Sequence, residues 1–65
     1  MAIRALRESA GMRQYELAAR MGVKQASVHA WESGENYPSA ENLLKLADIF
    51  GVTVDEVLGR KMPGA

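Results

Sequence analysis

Apolar residues recur three or four positions apart along most of this chain, and a glycine follows each such segment. Ile3 and Leu6, then Leu17, Ala18 and Met21, then Val28 and Trp31, then Leu43, Leu46, Ala47 and Phe50 carry the pattern, which is the inward stripe of a short helix. Gly11, Gly22, Gly34, Gly51 and Gly59 stand where a helix ends on a left-handed residue. The pattern therefore predicts five helices. They run from about Ala2 to Ala10, with Ile3, Leu6 and Ala10 inward, from Gln14 to Met21, and from Gln25 to Ser33. A fourth starts after Pro38, with Ser39 as N-cap, and reaches Phe50; a fifth starts on Thr53, with Glu56 completing a capping box, and ends near Leu58. No period-two alternation, repeat or low-complexity segment interrupts this, so the expected fold class is all-α. One compact five-helix domain spans 1–59, and 60–65, RKMPGA, is a flexible tail whose two bases are read as solvated.

The second and third segments meet across Gly22. Helices crossing at roughly 90–120° through a turn of about 3–4 residues need a small residue at the crossing and a glycine in the turn. Ala18 and Gly22 supply these, while Leu17, Met21, Val23, Val28 and Trp31 form an underside that packs on other helices. That is the layout of a helix-turn-helix. The outer face of its second helix is expected to keep Gln25, Ala26, Ser27, His29 and Ala30, short or hydrogen-bonding side chains suited to base edges.

Bulk properties narrow the function. A chain of 65 residues buries only about 60% of its unfolded surface, which leaves little room for an enclosed active site. It has no cysteine, and so no disulfide, thiolate metal site or thiol nucleophile. No Ser, His and Asp set, glycine-rich phosphate loop or metal-ligand cluster is present, so no catalytic residue, metal or cofactor is expected. No apolar run nears the roughly 18 residues of a membrane span, and the N-terminus lacks the layout of a signal peptide. The expectation is a cytoplasmic protein without a membrane partner. The formal net charge is zero, which by itself argues against a nucleic-acid partner. Its distribution reverses that argument: residues 1–31 carry five bases against two acids, or +3, and residues 32–65 carry three bases against six acids, or −3.

The ordered set IRALRESAGM, Gln14 with YELAARMGV, SVHAWESG, Tyr37-Pro38-Ser39 before ENLLKLADIFGV, and TVDEVL resembles the Cro and phage-repressor type of helix-turn-helix, the XRE family, from Ile3 to Leu58. The resemblance implies that Gln14, at the start of the second helix, donates to a DNA phosphate, as the helix start itself can. Gln25, Ala26, Ser27 and Ala30 become the recognition face, with Gln25 suited to bidentate reading of adenine. Two alanines there thin the direct readout. Arg13 and Lys24 occupy positions where the family has Ser or Thr as N-cap, a departure that costs on the order of 1 kcal/mol each and that phosphate binding can offset. Unpartnered surface charge is the other reading of that pair. His29 points outward one turn along and is read as a solvated surface residue or a DNA contact rather than a metal ligand.

The family also pairs an Arg of the first helix with a Glu before the glycine that ends the third, which implies a partly buried ion pair of Arg7 with Glu32. Ser33, Asn36 and Tyr37 fall in the loop that follows the sugar-phosphate backbone, where Glu35 is an unfavourable neighbour. Leu44, Val52, Val54, Val57 and Leu58 exceed what the C-terminal core needs, which implies a homodimer; the alternative is that they only close the monomer core. The expected function is sequence-specific binding of double-stranded DNA, with repression from a partly palindromic operator. Two other readings stand beside it: an antitoxin or a phage or plasmid regulator with a protein partner, a toxin or antirepressor, and an interaction module with weak DNA affinity.

Overall fold

The computed structural model describes residues 1–60 and is helical: α1 (Ile3–Ser9), α2 (Gln14–Met21), α3 (Gln25–Ser33), α4 (Ala40–Phe50) and α5 (Val54–Leu58). No strand is present among the described residues. The expected boundaries of α2 and α3 match to the residue, and the α4 and α5 caps fall on Ser39 and Thr53 as the sequence implies. α1 is shorter than expected. Ala10 is exposed rather than inward, because the chain leaves the helix there and enters Gly11 at φ +71°. At the other end of the domain, the Arg60 amide donates to the Asp55 carbonyl at 2.9 Å, so Arg60 belongs to the closing turn of α5. Residues 61–65, the rest of the expected tail, lie outside the described residues.

Gly22 shows what fixes the helix-turn-helix angle. Its backbone sits at φ +69°, ψ +31°, a left-handed conformation that costs an L side chain about 1–2 kcal/mol. From there the Val23 amide reaches back to the Ala18 carbonyl at 3.0 Å, and the chain turns directly into α3. Space is not the constraint, because a Cβ at Gly22 would meet nothing within 4 Å. Backbone conformation alone demands the glycine.

Ile3, Leu17, Val28, Leu46 and Val57, one from each helix, are wholly buried and meet in the core with Ala18, Met21, Trp31 and Ala47. Leu6, Met12, Val23, Leu43, Ile49, Phe50, Val52 and Val54 pack around them, half-buried. α2 lies on α3, α4 on α5, and α1 touches α3, α4 and α5, so the helix-turn-helix rests on a three-helix support. The Ala2 amide also donates to the Val57 carbonyl at 2.9 Å, which ties the start of the chain to α5. Val57 thus belongs to the monomer core, with Val52 and Val54 packed on it, and only Leu44, at 60% exposure, stands fully outward among the residues that suggested a dimer face.

Candidate nucleic-acid interface

Arg7 and Glu32 join the scaffold to the end of α3. Arg7 Nε donates to Glu32 Oε2 at 2.6 Å and Nη2 donates to Oε1 at 3.1 Å, a bidentate pair, while Nη1 donates to the Met12 carbonyl at 2.8 Å. Arg7 is only 9% exposed. The hydrogen bonds and charge of Glu32 raise its guanidinium above the ordinary value. Burial by itself would raise the Glu32 carboxyl, but the hydrogen bonds from Arg7 and Gln14 and the Arg7 charge outweigh it and hold Glu32 below the ordinary carboxylate value. The expected ion pair therefore exists, and both partners stay charged.

A third member of this network is new. Gln14 Nε2 donates to Glu32 Oε1 at 3.1 Å, so the amide expected to reach a phosphate has one N–H engaged internally. A primary amide carries two N–H groups, and the second remains for an outside acceptor. Gln14 is thereby held in place by the same carboxylate that holds Arg7.

The other candidate residues fall into distinct environments. Arg13, Lys24, Gln25 and Ala26 are exposed at the starts of α2 and α3, and Ser27 is half-buried. Neither Arg13 nor Lys24 makes a side-chain cap hydrogen bond, since neither side chain has an acceptor. The Arg13 amide is nevertheless served: it donates to Glu16 Oε1 at 2.9 Å, which is half of a capping box. Arg13 and Glu16 stand three apart in the sequence, so this signal was available there.

Ala30 is a correction. It was expected on the outer face of α3 but is 6% exposed, and its carbonyl accepts from Ser33 Oγ at 3.2 Å and from the Asn36 amide at 3.3 Å. Ala30 thus closes the end of α3 and offers no side chain to a ligand. His29, one residue earlier, is exposed. Tyr37 is 77% exposed, and Ser33, Glu35 and Asn36 are also exposed.

Three of the candidates meet around one open hollow. Gln14, His29 and Ser33 line it together with Arg4, Arg7 and Glu32, and it measures about 320 Å³. Arg4 belongs to none of the expected sites; its side chain lies 3.6 Å from Glu8, four residues on, in an exposed pair. Among the described residues no three His, Asp or Glu side chains gather as a metal-ligand set, and no helix is long and apolar enough to cross a membrane.

The helix-turn-helix family model matches residues 3–57, nearly all of the described chain. The chain belongs to this family. It is 37% identical over 54 residues to the cryptic phage CTXphi transcriptional repressor RstR of Vibrio cholerae, covering 83% of this chain and 48% of that protein. Over 53 residues it is 38% identical to the transcriptional activator BcrR of Enterococcus faecalis, covering 82% of this chain and 26% of the relative. The crystal structure of a transcriptional regulator from Listeria innocua superposes with a TM-score of 0.83 at 27% identity, over 97% of this chain and 59% of that one. The chain thus spans about half or less of the curated relatives it matches. As a helix-turn-helix of this regulator family, the domain is a DNA-binding module and not an enzyme.

Proposed function

We propose that the protein represses transcription by binding a partly palindromic operator as a Cro-like homodimer. The observation that carries this reading is the pair of helix starts at α2 and α3, where exposed Arg13 and Lys24 stand in place of caps beside exposed Gln25 and Ala26. In this mechanism α3 enters the major groove, Gln25, Ala26 and Ser27 meet base edges, and Gln14, Arg13 and Lys24 hold phosphates. Ser33, Asn36 and Tyr37 follow the sugar-phosphate backbone after α3, with His29 and Ser33 beside Gln14 at the hollow. Repression is steric and needs no cofactor. The RstR likeness supports a repressor, and exposed Leu44 supports a two-fold contact outside the helix-turn-helix. The site of action is the cytoplasm.

A second reading, a regulator held by a protein partner such as a toxin or antirepressor, draws on exposed Tyr37 and Leu44 and on Glu35, which repels phosphate. Selection of bound duplexes from a random DNA pool at about 0.15 M salt separates the two. A two-fold motif with half-sites about one helical turn apart is the expected result. A pool that stays random overturns the operator reading and favours the partner.

A further inference from the structure

Arg4 is a surface residue of α1 whose partner among the described residues is Glu8 at 3.6 Å, with 71% of its side chain exposed. Such i,i+4 pairs hold a side chain weakly. Its place in the fold is more informative than its pairing, because it borders the hollow that Gln14, His29 and Ser33 also line.

Resting on the reading above, in which the start of α2 faces a duplex, we propose that this hollow seats one backbone phosphate of the DNA and that Arg4 is a ligand of that phosphate. The electrostatics favour an anion. Among the described residues Glu32 is the one carboxylate lining the hollow, and both of its oxygens are engaged by Arg7, one of them by Gln14 as well. The Arg7–Glu32 pair sums to zero, so the remaining formal charge of the lining is the Arg4 guanidinium, whose Glu8 partner lies outside the hollow in an exposed pair at 3.6 Å. Gln14 adds its second amide N–H, His29 adds a ring nitrogen, and the Gln14 backbone amide, at the first position of α2, has no carbonyl within the helix to take it. A hollow of about 320 Å³, open to solvent, has room for a phosphodiester and its water. A guanidinium matches the geometry of phosphate oxygens, and exchanging an exposed carboxylate 3.6 Å away for a phosphate costs little. Arg4 would then anchor the duplex from α1, outside the helix-turn-helix itself.

The test is the salt dependence of binding to a random-sequence duplex of about 20 base pairs, followed by fluorescence anisotropy, for the unaltered protein, Arg4→Gln and Lys45→Gln. Lys45 is a cation on α4 in the same kind of i,i+4 pair, with Glu41 at 3.8 Å, its side chain 49% exposed and away from the hollow. Removing one phosphate contact lowers the slope of log affinity against log salt by about 0.9 and weakens binding about fivefold at ~0.15 M salt. Arg4→Gln is expected to show both changes with an unaltered melting temperature, and Lys45→Gln neither. Arg4→Met, which keeps more of the apolar stem, is expected to repeat the result, and Arg4→Lys to retain the slope. Equal slopes for Arg4→Gln and the unaltered protein overturn the proposal while leaving the DNA reading intact. Equal losses in Arg4→Gln and Lys45→Gln overturn it too, since they report general charge rather than contact. Absence of salt-dependent duplex binding by the unaltered protein overturns both.

Discussion

The helices of this domain start in two different ways. α4 and α5 begin on Ser39 and Thr53, whose hydroxyls accept the amides of Asn42 and Glu56 at 3.2 and 3.1 Å. α2 and α3 begin on Arg13 and Lys24, whose side chains accept nothing and set a positive charge at the positive end of the helix dipole. Glu16 softens this at α2 by taking the Arg13 amide, whereas α3 has no acid in its first turn. The α4–α5 half is completed from within; the α2–α3 half is left short of negative charge and of acceptors. A helix start in that condition is a donor site for an anion from outside. Local cost and charge asymmetry therefore fall on the same half of the molecule, the half proposed to face DNA.

The contrast holds only while the two halves are locked together, and Arg7 with Glu32 is the lock. Arg7→Ala leaves Glu32 in a partly buried place with Gln14 as its remaining partner, and the loss is expected to be about 3–5 kcal/mol. In so small a domain that unfolds much of the population. Replacing both residues by leucine should cost far less, because no charge is stranded. Urea unfolding of the two variants decides this: equal midpoints would show that the pair is not a coupled unit. The carboxyl of Glu32 also gives the pair a pH signature. Its pKa is lowered by folding, so its contribution is complete above the unfolded value of about 4.3 and is lost as pH falls through the lower, folded value. Stability of the unaltered protein should thus fall more steeply below about pH 4 than that of the double-leucine variant, in unfolding curves taken from pH 6 down to pH 3.

A smaller effect sharpens the other side of the comparison. Ser39→Ala and Thr53→Ala each remove a hydroxyl that serves one amide, and each should cost about 1 kcal/mol. Neither cap lies at the proposed DNA face, so duplex affinity should stay unchanged once the protein is folded. Differential scanning fluorimetry and anisotropy on the same samples check the pair of expectations.

Much of this was legible in the sequence because glycine and the cap residues act locally. Each of Gly11, Gly22, Gly34, Gly51 and Gly59 has positive φ, so the punctuation read from the sequence marks real helix ends. Arg7 and Glu32 were legible through resemblance alone, because nothing local links residues 25 positions apart. What escaped were properties set by packing direction. Ala30 sits one position after exposed His29 and one before buried Trp31, on the edge of the helical stripe, where a methyl carries no signal of which way it faces. Val57 looked like surplus apolar area because its contact with the first residues of the chain, recorded in the bond from Ala2, is long-range. Arg4 carried no local signal, since the hollow it borders is formed only where residues of α1, α2 and α3 come together.

The smallest change tests the comparison most directly, because stability and binding should move in opposite directions. Lys24→Ser installs the hydroxyl acceptor that α3 lacks and removes a cation from its start. The helix should gain about 0.5–1 kcal/mol from the cap. Arg13→Ser should behave alike with a smaller gain, since Glu16 already serves the Arg13 amide there. If these cations hold phosphates, each substitution also lowers the salt slope of duplex binding by about 0.9, so a more stable protein binds DNA less tightly. If they are unpartnered surface charge, stability rises and the slope stays where it was. Thermal melts paired with salt titrations separate the two. The missing caps would then be either a concession to the duplex or an untuned pair of positions, and only the first keeps the functional contrast between the two halves.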